Sequence, residues 1–223
     1  MGETGQATVW DLPTRLFHWT LVLLIAAQYA SGEFGILSME WHFYLGYATL
    51  ALVVFRVLWG FAGSTTSRFA AFVRGPGVVV RYAREALAGR APHVFGHNPI
   101  GGWSVLLLLA SLFVQSVTGL FSTDDLTETG PLAARVSDAT VAWMTHVHHV
   151  NRYVLLLLIL GHVVAVAMHW VLRHENLVAP MWHGRAHRGD GAPTRVAPLW
   201  RALVLMAMSA AAVALLVIFG GDA

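Results

Sequence analysis

Five of the twelve histidines lie between residues 141 and 172, in a stretch that is otherwise largely apolar. From Tyr153 to Leu172 it carries no formal charge, and twenty residues of helix cover about 30 Å, the thickness of the hydrocarbon core of a bilayer. An imidazole inside a membrane is costly unless it has a partner or a function. Imidazole also binds haem iron. The stretch therefore predicts a membrane-spanning helix that presents metal-binding side chains.

The spacing of His148 and His162 places both on one face of this helix. They are fourteen residues apart, which separates them by about 40° around the helix and about 21 Å along it. One face then presents an imidazole near each side of the membrane, as two stacked haems require. His146 and His149 lie about 160° and 140° from His162. They cannot share its face, so we favour His148 as the second ligand.

The composition is that of an integral membrane protein. The 223 residues are 57% hydrophobic and 12% charged, and this charged fraction is about half that of a soluble domain. All fourteen basic residues are Arg and no Cys is present. The absence of Cys excludes thioether-linked haem, iron–sulfur clusters and disulfides within the chain. No basic patch is interleaved with exposed aromatic residues, so we predict no nucleic-acid partner.

Five segments are predicted to span the membrane, at about residues 16–32, 41–62, 100–121, 141–172 and 202–219. Arg residues are concentrated in two connections, 63–99 and 173–198, whereas the other two are acidic or nearly free of Arg. The positive-inside rule then places the N-terminus in the cytoplasm and the C-terminus outside. Residues 78–87 are predicted to form a short interfacial helix. His97 and the other histidines of the Arg-rich connections are expected to be solvated.

This topology brings histidines from three spans together. His18 is expected near the cytoplasmic end of the first span, and His42 near the outer end of the second. Two pairs follow, His42 with His148 and His18 with His162, and haem iron accepts two axial imidazoles. The predicted depths of His18 and His162 match only roughly, and tilt or extension of the fourth helix beyond the membrane could reconcile them. The alternative is that each histidine hydrogen-bonds to a Ser, a Thr or a backbone carbonyl.

Neighbouring residues suggest a pocket for the macrocycle. Gly46, one turn after His42, would let a flat ring approach the backbone, although small residues also occur at plain helix contacts. Arg152, one turn after His148, could pair with a haem propionate. Arg56 is expected to extend to the cytoplasmic interface, with propionate pairing as the alternative. His169, near the cytoplasmic surface, could be an interfacial residue or line a quinone site.

Several motifs for other functions are missing from the sequence. There is no His-Glu-x-x-His zinc motif and no glycine-rich phosphate loop. None of the predicted spans has an Asp or Glu near its middle, which argues against a proton or cation transporter. One rival remains, a haem-free metal transporter that uses His146, His148 and His149.

The motifs resemble the bacterial cytochrome b561 group, which includes the b-type cytochrome subunit of nickel–iron hydrogenases. The resemblance covers residues 9 to about 188. It is carried by Val9-Trp10-Asp11-Leu12-Pro13-Thr14-Arg15-Leu16-Phe17-His18-Trp19, His42-x-x-x-Gly46, Phe55-Arg56-Val57-Leu58-Trp59-Gly60, His97-Asn98-Pro99-Ile100-Gly101, Thr118-Gly119-Leu120-Phe121, His148 to His162, and His174-Glu175-Asn176-Leu177 with Met181 and Gly184-Arg185.

The resemblance implies an all-α membrane protein, a four-helix transmembrane bundle with two b haems. In the family the axial ligands come from the first, second and fourth helices, which agrees with His18, His42, His148 and His162. Exchange of electrons with membrane quinone is also implied, and Asn98 and His169 correspond loosely to a quinone site. The fifth span is an addition to the family core. We therefore divide the chain into a di-haem domain, 9–188, and a linker with a C-terminal transmembrane helix, 189–223.

The sequence thus predicts a di-haem b-type cytochrome that carries electrons across the inner membrane. It would act between the quinone pool and a partner redox protein, a hydrogenase or a c-type cytochrome. No catalytic residue is assigned, and a stand-alone quinol oxidoreductase is the enzymatic alternative. The lipid bilayer is the remaining partner, and the oligomeric state, including a homodimer, stays open.

Overall fold

The computed structural model describes residues 5–123, 128–187 and 194–221, and the described chain is mostly helical. Two three-residue strands and two 3₁₀ turns, Thr65–Ser67 and Ala133–Arg135, accompany the α-helices. In chain order the strands and α-helices are β1 Gln6–Thr8, α1 Leu12–Gly32, α2 Met39–Ala62, α3 Phe69–Phe72, α4 Pro76–Leu87, α5 Pro99–Gly119, α6 Asp138–Arg173, α7 Val178–His183, β2 Arg185–His187 and α8 Leu199–Gly221.

Four helices are long and apolar enough to cross a membrane, namely α2, α5, α6 and α8. They correspond to four of the five predicted spans, and an all-α membrane protein is thereby supported. Helix α1 covers the predicted first span but is not among the four, because Arg15, His18 and Gln28 lower its mean hydropathy. A membrane crossing by α1 stays a prediction. Helix α4 confirms the short helix that was predicted at residues 78–87.

Helix α2 is the centre of the bundle. It packs against α1, α5 and α8, while α6 packs against α5. Two buried clusters run along α2: one contains Phe55 and Trp59 with Ala202 of α8, and the other contains Leu50 with Val213 of α8. The added helix α8 is therefore part of the same bundle as the predicted di-haem domain. The predicted boundary at residue 188 falls outside the described residues and stays a prediction.

The starts of α1 and α5 are encoded by capping residues in the sequence. The Asp11 carboxylate accepts a hydrogen bond from the Thr14 backbone N–H at 2.9 Å, and the Asn98 side chain accepts one from the Gly101 N–H at 2.8 Å. A proline follows each cap within the first turn, where its missing N–H costs nothing. The Asp-Leu-Pro and Asn-Pro motifs thus fix where these two helices begin.

The Arg-rich segments meet at one end of the bundle. The Thr65 N–H donates to the Arg195 carbonyl at 3.0 Å, and the Arg173 guanidinium donates to the Ala91 carbonyl at 2.5 Å. Strands β1 and β2 pair antiparallel at this end. At the opposite end, Arg135 donates to the carbonyl of Gly220, near the C-terminus of α8. The two Arg-rich connections thus lie at one end of the bundle, and Arg135 of the acidic connection lies at the other.

Candidate cofactor site of paired histidines

The outer histidine pair joins α2 to α6. The ring centres of His42 and His148 are 6.4 Å apart, and the rings are inclined by 75°. Both histidines line an open cleft with about 1160 Å³ of empty space, including the part open to the outside. Gly46 and Arg152, the two neighbours singled out in the sequence, line the same cleft. The structure therefore brings together the predicted members of the outer site.

The inner pair joins α1 to α6. The ring centres of His18 and His162 are also 6.4 Å apart, with the rings inclined by 57°. The 36-residue length of α6 makes both pairs possible from one helix, because the helix extends past the end of the apolar stretch. Helix α6 begins three residues before the predicted stretch 141–172 and ends one residue after it, and its extension beyond a membrane stays a prediction.

The separation within each pair matches that of two imidazoles on opposite sides of one metal ion. A metal–imidazole bond is about 2 Å and each ring centre lies about 1 Å behind its nitrogen, so the two centres should be about 6 Å apart. Both pairs, which come from different helices, meet this condition.

Two glycines allow the outer rings to approach the neighbouring helices. A Cβ atom at Gly119 of α5 would lie 3.0 Å from Cε1 of His148, and one at Gly32 of α1 would lie 3.1 Å from Cε1 of His42. These distances are shorter than ordinary van der Waals contact. Each outer imidazole therefore rests against a position where a side chain would displace it.

Hydrogen bonds hold both outer imidazoles. The Nδ1 atom of His42 lies 2.9 Å from the Ser31 hydroxyl, which itself donates to the Gln28 carbonyl. The Nδ1 atom of His148 lies 2.9 Å from the Gln115 carbonyl oxygen. The Nε2 atom of His148 lies 3.1 Å from the side-chain nitrogen of Gln115, so this contact would have to open before Nε2 could bind a metal.

An apolar layer separates the two pairs. Val53 of α2, Leu112 of α5 and Leu155 of α6 form a buried cluster, and Leu155 lies midway between His148 and His162 along α6. Such a layer excludes water and lowers the local dielectric constant. The two histidine pairs therefore sit in one bundle as two distinct sites.

Aromatic residues surround the inner pair. The ring of His18 meets that of Trp19 edge to face, and Trp19 stacks on Trp182 of α7 with ring centres 4.4 Å apart. The Trp19 indole N–H donates to the Met181 carbonyl at 3.0 Å. These contacts place the Met181 region, which is far along the sequence, next to the His18 motif in space.

Arg56 differs from its predicted position. It was expected to extend to the interface, but only 3% of it is exposed, and its guanidinium lies 5.4 Å from the centre of the Phe69 ring. The 3₁₀ turn and α3 fold over the end of α2 and cover it. Its Nη1 atom is buried without a hydrogen-bond partner. The prediction that Arg56 reaches solvent is therefore wrong.

His97 is a residue whose environment the sequence reasoning missed. It was expected to be solvated, yet its ring packs at 4.6 Å from both Trp10 and Phe72. Burial lowers the pKa of His97 to about 3, with smaller contributions from the positive charges of Arg56 and His162. His97 is therefore neutral at physiological pH. Its position directly before the Asn98-Pro99 helix start was the available sequence signal for an ordered environment.

Buried polar atoms without partners cluster near the two pairs. Among the described residues these atoms are Arg15 Nε, His18 Nδ1, Arg56 Nη1, His97 Nδ1 and Arg152 Nε. Three belong to guanidinium groups, which can only donate hydrogen bonds. A buried donor without an acceptor is costly. An anionic acceptor would satisfy these guanidinium donors.

The comparison with known proteins identifies the family of the chain. The family model for prokaryotic cytochrome b561 matches residues 9–184. The chain belongs to the prokaryotic cytochrome b561 family. It is thus a membrane b-type cytochrome of electron transfer, in a family that binds b-type haem. No curated protein and no solved structure matches the chain.

The residues of this cytochrome b561 fit a b haem. Each histidine pair offers two imidazoles at about the separation that one iron requires. Haem propionates are carboxylates, which can accept hydrogen bonds from the single guanidinium nitrogens that lack a partner. Arg15 and Arg56 would serve the inner site, and Arg152 the outer one. In the structure Arg152 is ion-paired with Glu33 at the edge of the cleft, so a propionate would compete with that carboxylate.

The two residues assigned loosely to a quinone site have other contacts. Asn98 caps α5, and Nδ1 of His169 bonds to the Ala165 carbonyl of its own helix at 2.9 Å. Neither contact excludes a quinone, and no hydrogen bond or ring contact joins Asn98 to His169 within the described residues. Their role in quinone binding stays a prediction.

Substitution of Gly119 by Ala should weaken the outer site selectively. The added Cβ would force the His148 ring away from α5, and disturbed support of a ligand typically costs about tenfold or more in metal affinity. We expect about tenfold faster loss of haem to a haem-scavenging protein. Gly77→Ala in α4 is the matched control, because nothing lies within 4 Å of a Cβ at that position. Equal haem retention in the two variants would contradict the prediction.

Proposed function

We propose that this chain is a di-haem cytochrome that carries electrons across the bacterial inner membrane between a partner redox protein and the quinone pool. His42 and His148 would ligate the outer iron, and His18 and His162 the inner iron. The observation that carries the proposal is the identical 6.4 Å separation of the two imidazole pairs. When bound, each haem iron takes up and releases one electron at a time.

The chain contributes position and environment. Helix α6 sets the two ligand pairs about 21 Å apart along its axis, and the apolar layer of Val53, Leu112 and Leu155 keeps water out between them. Guanidinium groups of Arg15, Arg56 and Arg152 offer hydrogen-bond donors to propionates at each end. The bundle therefore holds two redox centres at different depths without a conformational change.

The orientation of the protein follows from charge. The two Arg-rich connections lie at the end of the bundle that holds the inner pair, which supports a cytoplasmic N-terminus and inner haem. The quinone would bind near one haem, with Asn98 and His169 as the candidate contacts. The redox partner would approach from the periplasm or within the membrane.

A metal transporter is the less favoured function. His146 and His149 are exposed, whereas His148 is turned towards His42. Within the described residues no group of three or more His, Cys, Asp and Glu side chains could hold a metal ion. The three neighbouring histidines of α6 therefore do not form the cluster that such a transporter needs.

The visible spectrum of the purified protein tests the proposal. We expect about two b haems per chain in a haem-to-protein assay, with the sharp absorption bands of low-spin, bis-histidine iron after reduction. A colourless protein that retains zinc or copper would overturn the cytochrome assignment. Reduction of the haems by a quinol without any partner would favour the stand-alone quinol oxidoreductase over the partner-dependent carrier.

A further inference from the structure

Helix α4 has an apolar edge that the rest of the described chain leaves exposed. Its protein-facing side is formed by Tyr82, which is buried, with the partly buried Val78 and Val79 beside it. Val80 and Leu87 lie on the opposite side, where 49% of Val80 and 91% of Leu87 are exposed. At about 100° per residue they lie only about 20° apart around the helix. They form a second apolar stripe, the exposed apolar edge, and its contact with water is unfavourable.

A basic edge lies beside this apolar edge. Arg84 and Arg81 lie about 40° and 100° around the helix from Val80, and both are exposed. Neither guanidinium has a hydrogen bond or an ion pair within the described residues, although Glu85 is on the same helix. By contrast, the Arg74 guanidinium, just before α4, donates to backbone carbonyls at the end of α3. The charges of Arg81 and Arg84 are therefore available to anions outside the protein.

The contacts of the segment before α4 place the helix at the end of a candidate membrane span. Trp103 lies one turn into α5, and its indole N–H donates to the Arg74 carbonyl at 2.8 Å. A Cβ atom at Gly102 would lie 2.8 Å from the Phe72 carbonyl oxygen, so this segment packs directly on the first turn of α5. Helix α5 is long and apolar enough to cross a membrane, and Trp is enriched at membrane–water interfaces. Helix α4 therefore begins near the depth where headgroups meet acyl chains.

We propose that α4 lies in the membrane–water interface and binds anionic phospholipids. Arg81 and Arg84 contact the headgroup phosphates, and Val80 and Leu87 lie among the acyl chains. Interfacial helices bind anionic bilayers through an apolar face flanked by basic residues, and each Arg near such a surface strengthens binding about fivefold. A soluble partner would have to cover Leu87 and neutralise two arginines at the boundary of the bilayer, so the lipid surface fits this position better.

Site-directed spin labelling tests where the apolar edge lies. The chain has no Cys, so Leu87→Cys gives a single labelling position in the full-length protein. The labelled protein is placed in nanodiscs of phosphatidylcholine alone, or of equal parts of phosphatidylcholine and phosphatidylglycerol. We expect the label to collide with oxygen dissolved in the lipid and to be protected from a water-soluble nickel complex, more strongly in the mixed lipid. Ala88→Cys is the matched control. It lies about 100° further round the helix, on the basic edge, and should stay open to the nickel complex.

Arg84→Gln tests the part of the proposal that concerns anionic lipid. In the labelled Leu87→Cys protein it should shift the equilibrium towards the detached helix about fivefold in the mixed lipid. The label would then collide more often with the nickel complex, whereas in phosphatidylcholine alone little should change. Arg201→Gln is the matched control, since this exposed arginine near the start of α8 is a positive charge outside α4. It should leave the label protected.

The contrary results each identify a different environment for α4. Equal protection of the label in the two lipids, or no effect of Arg84→Gln in the mixed lipid, would overturn the binding of anionic headgroups. Free access of the nickel complex in both lipids would mean that the apolar edge lies in water. Protection from oxygen and nickel alike would mean a protein contact, such as a second copy of the chain. Val80→Cys, on the same edge, repeats the measurement if the label at Leu87→Cys perturbs the helix. None of these readouts depends on haem content, so the di-haem function stands or falls separately.

Discussion

Replacement of His162 by Ala is expected to reduce the haem content from two per chain to one. The inner iron would keep only His18, and the alanine side chain leaves no group on α6 within reach of the sixth coordination position. One of the two redox components should disappear from a redox titration, while the outer pair of His42 and His148 remains complete. The measurement is the ratio of haem to protein after purification, together with the amplitude of the reduced spectrum.

The control for this variant is His146→Ala. His146 lies on the same helix, is exposed, and has its ring beside Trp143 instead of a second histidine. We expect it to retain both haems and both redox components. The reciprocal variant His148→Ala should lose the other component. Full haem content and unchanged redox behaviour in His162→Ala would show that the pairing of α1 with α6 does not hold an iron.

The histidine pairs could be predicted because helix geometry is regular. A fourteen-residue spacing returns to nearly the same face of a helix, and this relation survives even though α6 is longer than the apolar stretch that revealed it. The alternation of Arg-rich and Arg-poor connections then predicted the direction of each helix across the membrane. The direction of a neighbouring helix determines which of its ends lies beside His148 or His162. Both arguments need only the sequence and the thickness of a bilayer.

The burial of Arg56 and His97 could not be predicted in the same way. Both are covered by short segments: the 3₁₀ turn and α3 fold back over the end of α2, and Trp10 and Phe72 enclose His97. Hydropathy indicates whether a helix enters the membrane. It does not indicate which residues at the end of that helix are covered by a connecting segment. Helix α1 shows the same limit of hydropathy. Its polar residues lower its mean hydropathy, although one of them, His18, lies opposite His162 inside the protein.

Long-range hydrogen bonds are the other feature that the sequence did not reveal. Asp11 could be recognised as a helix cap from the Asp-Leu-Pro-Thr motif. Its second carboxylate oxygen, however, accepts from the indole N–H of Trp59 at 3.1 Å and from the Ser67 hydroxyl at 3.3 Å. These partners are 48 and 56 residues away along the chain. One carboxylate therefore joins the start of α1 to the end of α2 and to the 3₁₀ turn.

Replacement of Asp11 by Ala is expected to destabilise the protein by about 2–4 kcal/mol. Loss of the helix cap costs about 1 kcal/mol, and the buried Trp59 N–H, left without an acceptor, costs about 1–3 kcal/mol more. Trp59 is fully buried, so water cannot replace the carboxylate. Arg56 would also lose its interaction with the negative charge of Asp11, and this loss destabilises the folded protein further. The measurement is the free energy of unfolding in detergent micelles, from a denaturant titration followed by circular dichroism.

The variant Asn98→Ala measures how much stability a helix cap alone contributes. It therefore separates the cap of Asp11 from the hydrogen bonds that Asp11 accepts from Trp59 and Ser67. Asn98 caps α5 through a similar bond to Gly101, but the described residues include no long-range hydrogen bond from its side chain. We therefore expect a loss of only about 1 kcal/mol. The difference between the two variants measures what the links from Asp11 to Trp59 and Ser67 contribute. Equal losses would mean that Asp11 acts as a cap alone, and that the end of α2 is held to α1 by apolar packing instead.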